Sequence, residues 1–274
     1  MLSLSKNLPI WAKEDNREPG ILQHISVVLS RIAKALTARP QAETPPIFTS
    51  QMLILGAGAS ALSVVCFALD RQISLAMLHE PVGVIAFWNI ATDAALVRWY
   101  LYPSILVLLA AFLIEWSSRQ EIRAFWPSAA TGVAAYLFSS VALAAIVTNF
   151  LKIVFGRARP LLMDDYGNFS FSLGRFGHDY SSFPSGHSTT IGAVTLVAAV
   201  LAPSQRVAIL IAGFCIALSR IVVRAHYPSD VVAGFAIGAL TAIAVGRWLA
   251  SRNLFFRFDH AGQGWAGLLP RAAT

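Results

Sequence analysis

The chain has 274 residues, of which 56% are hydrophobic and only 13% are charged, and its formal net charge is +7. Because soluble domains carry about a quarter charged residues, this composition argues against an ordinary soluble protein and for one largely surrounded by lipid. The lysines and arginines lie between apolar stretches rather than in one basic tract, so the positive charge does not indicate a nucleic-acid-binding protein.

The first fifty residues contain no apolar run that is long enough for a cleavable secretion signal. Six aliphatic residues recur there at helical spacing between Gly20 and Arg39, namely Ile21, Ile25, Val28, Leu29, Ile32 and Leu36. This pattern predicts a basic amphipathic helix on the inner membrane surface, within a cytoplasmic N-terminal segment of residues 1–50. A disordered tail with some helical tendency is the alternative.

Residues 51–250 contain six apolar stretches of roughly the 20 residues that cross a bilayer core. The first stretch is predicted to stop at Asp70-Arg71. The stretches run from Met52 to Leu69, Val97 to Trp116, Ser128 to Leu151, Gly186 to Ala202, Arg206 to Val223 and Asp230 to Leu249. The fourth stretch is short, and only three residues separate it from the fifth. The sequence therefore predicts an all-α, polytopic membrane bundle with six transmembrane helices.

The basic residues predict how this bundle is oriented. With the N-terminus in the cytoplasm, 13 of the 21 lysines and arginines fall on the inner side, as the positive-inside rule favours. Both termini are then cytoplasmic, including a C-terminal tail of residues 251–274. The outer side holds the segment from Arg71 to Leu96, where a short interfacial helix is expected, and a long loop from Gly156 to Pro184. Loops of that length are often functional.

Three groups of polar residues interrupt the apolar pattern, each at the predicted outer end of a stretch, where charges are costly and usually functional. The first group is Lys152-Ile-Val-Phe-Gly-Arg157-Ala-Arg159-Pro160. Lys152 and Arg159 are about two helical turns apart, so both face one site if the helix continues. Such cations suit a phosphate dianion. The alternative is that these side chains only reach the polar interface and set the orientation of the helices. For Arg157 and Arg224, which lie inside the motif spacings, surface solvation is the expectation, with support of the site or a second phosphate as the alternative.

The second group is Phe183-Pro184-Ser185-Gly186-His187-Ser188, which directly precedes the fourth stretch. Proline and serine before an apolar run indicate a helix start, and a helix N-terminus offers N–H groups to an anion. Gly186 lets a phosphate approach the backbone closely, and His187 is placed to give a proton to a leaving oxygen. A plain helix cap beside an interfacial histidine is the alternative.

The third group consists of Ser219-Arg220 and, after a short gap, His226-Tyr227-Pro228-Ser229-Asp230. Arg220 adds a third cation. His226 and Asp230 are four residues apart, so the carboxylate can reach one imidazole nitrogen, fix the tautomer and make the other nitrogen more nucleophilic. A helix cap with an unrelated histidine is the alternative.

Together the three groups resemble the signature of the type 2 phosphatidic acid phosphatase superfamily, which reads Lys-x6-Arg-Pro, Pro-Ser-Gly-His and Ser-Arg-x5-His-x3-Asp. Every signature position is present here, in the same order and at the same spacing. The resemblance covers roughly residues 95–250 and includes the six-span layout of the membrane members of the superfamily.

The resemblance implies a role for each matching residue. His226 would attack phosphorus and form a phosphohistidine, Asp230 would orient His226, and His187 would protonate the leaving oxygen and then help to activate water. The residues that would hold the phosphate oxygens are Lys152, Arg159, Ser185, Gly186 and Arg220. No metal and no other cofactor is implied.

The resemblance also implies the reaction, which is hydrolysis of a lipid phosphate monoester or pyrophosphate at the periplasmic face of the inner membrane. For a bacterial source, undecaprenyl pyrophosphate, phosphatidylglycerol phosphate, phosphatidic acid and lipid A phosphates all remain open as substrates. The expected partners are this lipid and the surrounding membrane lipids, with no nucleic acid.

Three other functions are alternatives. Phosphotransfer between two lipids would use the same site. The related vanadium haloperoxidases share the signature, but they are soluble. A small transporter would place polar residues near the middle of its spans and show repeat symmetry, and neither is visible here.

Overall fold

The computed structural model describes residues 44–117, 129–175, 177–252 and 254–258, the backbone of residues 268–270, and isolated residues between 26 and 40. The chain divides into two compact units, Met1–Ala38 and Arg39–Thr274. Every element named below belongs to the second unit. The aliphatic residues of the predicted amphipathic helix lie outside the described residues, so that helix and its membrane role stay predictions.

The described residues of the second unit form mostly helices. They are α1 Ser50–Ala76, α2 Val82–Asp93, α3 Arg98–Ser117, α4 Ala129–Phe155, the one-turn α5 Met163–Tyr166, α6 Gly186–Leu201, α7 Arg206–Val222 and α8 Pro228–Ser251. Two short strands, β1 Phe256–Phe258 and β2 Leu268–Pro270, pair antiparallel with Phe256 opposite Pro270. The predicted helical membrane architecture is confirmed, with this small ribbon added to it.

Five helical stretches among the described residues are long and apolar enough to cross a bilayer. They are Ser50–His79, Val82–Leu113, Ala129–Phe155, Pro203–Val222 and Pro228–Ser251. Helix α6 is apolar, but its 16 residues are fewer than a full span usually needs. The structure therefore supports five of the six predicted spans by length. The orientation of the termini stays a prediction.

Helix α1 continues two turns beyond Leu69, where the first span was predicted to stop. The prediction used Asp70 as the polar end of the span, but the side chain of Asp70 is fully buried and ion-paired inside the protein. Because its charge is neutralised there, it does not end the helix. In the 71–96 segment, where an interfacial helix was expected, α2 is present and leads into α3 as one apolar stretch.

The core of the bundle lies around α6, whose most extensive contact is with α8. The two backbones touch at Gly238, where an added Cβ would lie 2.0 Å from the carbonyl oxygen of Thr189. Helix α4 joins them through Tyr136, a fully buried side chain that donates a hydrogen bond to the carbonyl of Ala242 at 3.0 Å. Because neighbouring helices cover α6 on most sides, it does not need the length of a lipid-facing span.

The start of the predicted C-terminal tail belongs to the bundle. Phe256 of β1 is 1% exposed and packs edge-on against Tyr136, with ring centroids 4.9 Å apart. At the same end, Arg247 of α8 donates to the carbonyls of Pro46 and Ile47 just before α1. These contacts fix the end of the molecule opposite to the three motifs.

Candidate active site

A sharp turn after α4 brings the first motif over the end of the bundle. Gly156 has a φ of +53°, and a Cβ there would lie 1.9 Å from the carbonyl oxygen of Ser172, so only glycine fits. The turn directs Arg157 into the protein, where its backbone forms an isolated antiparallel bridge with Phe171. The loop that follows α4 is thus folded back onto the helix ends rather than extended into solvent.

Lys152 lies in the last turn of α4, close to the beginning of α6. Its Nζ donates a hydrogen bond to the carbonyl of Ser181 at 2.5 Å. Its Cε lies 3.7 Å from the position that a Cβ on Gly186 would take. Lys152 also interacts electrostatically with Arg159 and Arg220. The cations predicted from the first and third motifs are therefore neighbours.

Arg159 is held by the outer loop. Its Nε donates to the carbonyl of His178 and its backbone N–H donates to the carbonyl of Asp179, both at 2.8 Å. Burial lowers the pKa of the Arg159 guanidinium below its ordinary value, and the charges of Asp230 and Asp179 act in the opposite direction. A desolvated, anchored guanidinium of this kind is a strong binding partner for an anion.

The second motif forms the N-terminus of α6, as predicted. Ser185 is the N-cap, and its Oγ accepts from the backbone N–H of Ser188 at 3.4 Å and from the hydroxyl of Ser188 at 2.9 Å. Since Ser185 accepts both bonds, its own O–H remains a donor. Its backbone N–H donates to the carbonyl of Asp230 at 3.0 Å. That bond ties the beginning of α6 to the beginning of α8.

His187 lies in the first turn of α6 and is partly buried. It interacts electrostatically with Arg220, His226, Lys152 and Arg159. Its imidazole therefore lies among the cations of the other two motifs.

Arg220 is positioned by a residue that the sequence motifs do not include. Its Nη1 donates to Oγ1 of Thr92, at the end of α2, at a distance of 3.0 Å. Asp93 adds an attractive charge from the same helix. The helix in the predicted interfacial segment thus helps to hold the third cation of the site.

His226 lies in the turn between α7 and α8 and is 2% exposed. Its Nδ1 is 3.6 Å from Oδ2 of Asp230, which is an ion-pair distance slightly longer than a hydrogen bond. Burial lowers the pKa of His226 to about 4, although the carboxylate of Asp230 acts against this shift. The imidazole is therefore neutral at neutral pH.

Asp230 is the most connected side chain of the cluster. Its Oδ2 accepts from the hydroxyl of Ser182 at 2.5 Å and from the backbone N–H of Tyr227 at 3.0 Å. Its Oδ1 accepts from Nη1 of Arg157 at 2.5 Å. These bonds restrict the carboxylate to one orientation beside His226.

The structure brings together all eight residues that the sequence predicted for the site. They are Lys152, Arg159, Ser185, Gly186, His187, Arg220, His226 and Asp230. Their placement in one cluster agrees with the prediction, while their individual roles stay predictions.

One expectation for this region is wrong. Arg157 is fully buried rather than solvated, and it lies between the carboxylates of Asp70 and Asp230. Asp70 comes from α1, far from the motifs in the chain, and it had been interpreted only as the end of a span. The sequence does contain a signal for this ion pair. Asp70 is a carboxylate that directly follows an apolar run, and Arg157 is an arginine of the outer region without an assigned role.

The cluster has the parts that phosphoryl transfer requires. The cations of Lys152, Arg159 and Arg220, with the N–H groups that begin α6, form a site for a phosphate dianion. A neutral imidazole backed by a carboxylate can act as a nucleophile, and a second imidazole can donate a proton when a bound dianion favours its protonated form. Catalysis of phosphoryl transfer depends mainly on such positioning and charge stabilisation.

Comparison with known proteins agrees with this chemistry. The model of the PAP2 superfamily matches residues 133–254, which include all three motifs. The chain is 34% identical over 224 residues to the lipid A 1-phosphatase of Rhizobium johnstonii, an alignment that covers 81% of this chain and 88% of that protein. It is also 34% identical to the lipid A 1-phosphatase of Rhizobium etli, with 81% and 93% covered. No solved structure gives a significant match. On its motifs, its geometry and these relatives, the chain belongs to the PAP2 superfamily of phosphatases.

Proposed function

We propose that the protein is a membrane lipid phosphatase that removes a phosphate group from its substrate through a phosphohistidine on His226. The proposal includes a site that faces the periplasm, where the headgroup enters from the outer leaflet while the lipid tail stays in the bilayer. The observation that supports it most is the buried, neutral imidazole of His226, which lies between the carboxylate of Asp230 and a cluster of cations.

In the first step, Nε2 of His226 attacks phosphorus and the bond between phosphorus and the lipid oxygen breaks. His187, protonated beside the bound dianion, donates its proton to that leaving oxygen. The imidazole of His226 then carries the phosphoryl group and a positive charge, and Asp230 stabilises that charge.

In the second step, His187 takes a proton from a water molecule as that water attacks phosphorus. The bond between nitrogen and phosphorus breaks, inorganic phosphate leaves, and His226 returns to its neutral form. Lys152, Arg159 and Arg220 neutralise the phosphate oxygens in both steps, which is where preorganised charge contributes most.

The first substrate to test is the 1-phosphate of lipid A. Two relatives that align with 81% of this chain carry the name lipid A 1-phosphatase. We therefore place lipid A before undecaprenyl pyrophosphate, phosphatidylglycerol phosphate and phosphatidic acid. The same site would support phosphotransfer to a second lipid if an acceptor hydroxyl replaced water.

The experiment presents the four lipids to purified protein in detergent with a chelator and measures free phosphate, with and without an acceptor lipid. The proposal expects phosphate release from lipid A that exceeds release from the other lipids and persists in the chelator. Transfer of the phosphate to the acceptor without release would make the protein a phosphotransferase. No release from any lipid would contradict the proposal.

The burial of His226 predicts an unusual pH profile. Only the neutral imidazole attacks phosphorus, and the pKa of this group is about 4 instead of the ordinary 6.5. We therefore expect kcat/KM to stay high as the pH falls below 6.5 and to decline only as it approaches 4. Phosphate release across this range is the measurement. A decline centred near 6.5 that does not follow the ionisation of the substrate phosphate would contradict the lowered pKa of His226.

Thr92 is expected to affect phosphate binding through Arg220. Thr92→Val removes the hydroxyl that accepts from Arg220 but keeps the size of the side chain. The loss of one hydrogen bond of about 1 kcal/mol corresponds to a fall of about fivefold in kcat/KM. Ser60→Ala, which removes an exposed bond within α1, is the control and should leave kcat/KM unaltered. An unchanged kcat/KM in Thr92→Val would contradict the role of Thr92.

A further inference from the structure

A buried ion network lies behind Asp230, and the mechanism above does not use it. It consists of Asp70 from α1, Arg157 from the outer loop and Ser229 at the start of α8, each with 0% of its surface exposed. We propose that Arg157 and Asp70 are positioning residues for phosphoryl transfer, which together fix the orientation and the effective charge of Asp230 behind His226. This inference rests on the proposed function.

Arg157 holds one oxygen of Asp230 and leaves the other for His226. Its Nη1 donates to Oδ1 of Asp230 at 2.5 Å and to Oγ of Ser229 at 2.7 Å. Oδ2 of Asp230 is the oxygen that lies beside Nδ1 of His226. Because Arg157 binds only Oδ1, rotation of the carboxylate away from the imidazole would break a charged hydrogen bond.

Asp70 holds the other half of the guanidinium. Its Oδ2 accepts from Nη2 of Arg157 at 2.7 Å and from the hydroxyl of Ser229 at 2.5 Å. Its Oδ1 accepts from the backbone N–H of Ser229 at 3.0 Å. Asp70 therefore links α1 to the beginning of α8 at the residue next to Asp230.

The charge balance of the network gives the second carboxylate, Asp70, a role in stabilising charge on His226. With Arg157 alone, Asp230 would form a neutral pair and would stabilise a cationic phosphohistidine poorly. Ionised together, the two carboxylates and the one guanidinium that they share carry one net negative charge in the buried cluster. Such a charge acts strongly because it is screened little inside the protein. Asp70 thus keeps Asp230 effective toward His226.

Aromatic rings and a carbonyl hold the guanidinium in place. The Arg157 guanidinium carbon lies 4.2 Å from the ring centroid of Tyr227, 4.4 Å from that of Phe67 and 5.5 Å from that of Phe171. Its Nη2 also donates to the carbonyl of Asn168 at 2.8 Å. A cation enclosed in this way has little freedom to follow Asp230 if the carboxylate moves.

The pKa of His226 is a measure of this network. The charged groups that face His226 are Asp230 from α8, Lys152 from α4, Arg159 from the outer loop and His187 from α6. None of them changes in an Asp70→Asn variant. Any shift in the titration of His226 in that variant therefore comes through the network.

The experiment compares wild type with Asp70→Asn and Arg157→Lys, with Asp165→Asn and Arg224→Lys as exposed controls. We expect kcat to fall about 10- to 100-fold in both network variants. Losses of this size are typical when a residue that orients a functional side chain by a hydrogen bond is replaced. KM should stay within about twofold of wild type, because the phosphate-binding cations are intact. In Asp70→Asn, the acid limb of kcat/KM should move to lower pH, since the loss of a negative charge disfavours the protonated imidazole.

A measurement that needs no substrate is the ¹⁵N NMR titration of the His226 imidazole, whose signal is identified by its absence in His226→Gln. It compares the pKa of His226 between wild type and the network variants. If wild type releases no phosphate but the His226 titration still moves in Asp70→Asn, the proposed function fails and the network stands. If wild type is active while both network variants keep its kcat and its His226 titration, the positioning role is overturned. Should Asp70→Asn not fold, the double variant Asp70→Asn/Arg157→Gln, which removes one charge of each sign, replaces it in the kcat comparison.

Discussion

Replacing His226 with glutamine should abolish phosphate release while leaving the fold intact. The substitution removes the nucleophile and keeps a polar side chain of similar length. Loss of a catalytic nucleophile costs about 10⁴-fold or more in kcat. The measurement is single-turnover phosphate release together with thermal unfolding of the same preparation.

His79→Gln is the matched control for this variant. His79 is an exposed histidine in the turn after α1, so its replacement should change neither activity nor stability. Activity near the wild-type level in His226→Gln would remove His226 from the mechanism. A large loss of stability in that variant would mean that the histidine has a mainly structural role.

Replacing Arg157 with methionine should be among the most destabilising single changes in the bundle. Asp70 and Asp230 are each fully buried, and both lose their cation in this variant. Breaking a buried ion pair by removing one partner typically costs about 3–5 kcal/mol. We expect a lower midpoint of thermal unfolding in detergent, measured against Arg224→Met, which alters an exposed arginine of the same outer region.

A second variant distinguishes lost charge from lost packing. If uncompensated carboxylates cause the destabilisation, adding Asp70→Asn to Arg157→Met should recover part of it. If the double variant is no more stable than Arg157→Met, the methionine acts through packing against Phe67 and Tyr227 instead. A midpoint for Arg157→Met equal to that of the control would contradict the ion network as a stabilising feature.

The site residues could be predicted because each motif lies at a helix end and keeps its own spacing. His226 and Asp230 are one helical turn apart, and Ser185 caps the helix that begins at Gly186. Arg159 is different, because α4 ends at Phe155 and the outer loop, rather than a continued helix, holds its guanidinium. Its place beside Lys152 therefore depends on a loop conformation that the spacing alone does not give.

The ion network could not be predicted in the same way. Asp70 and Arg157 are 87 positions apart, and their contact depends on how α1 packs against the outer loop. An acidic residue after an apolar run ordinarily marks the end of a membrane span. Because Arg157 neutralises the charge of Asp70, this rule gives the wrong end for the first span. Arg157 is buried because the chain turns sharply at Gly156, and a sequence pattern does not reveal that turn.

The end of α1 was predicted less well for a related physical reason, because Asp70 is ion-paired inside the protein and the helix continues to Ala76. The short length of α6 was predicted to within one residue, and its contacts with neighbouring helices agree with that length. The contact of Phe256 with Tyr136 is another tertiary effect that hydropathy alone does not report.

The central claim is that His226 forms a covalent bond to phosphorus within the cation cluster. The direct measurement uses a lipid substrate with a labelled phosphate, a rapid quench under alkaline conditions that preserve phosphohistidine, and mass spectrometry of the peptides. We expect the label on the peptide that contains His226, and no label in His226→Gln. A label on another residue, or turnover in wild type without any labelled protein at the earliest times, would contradict it.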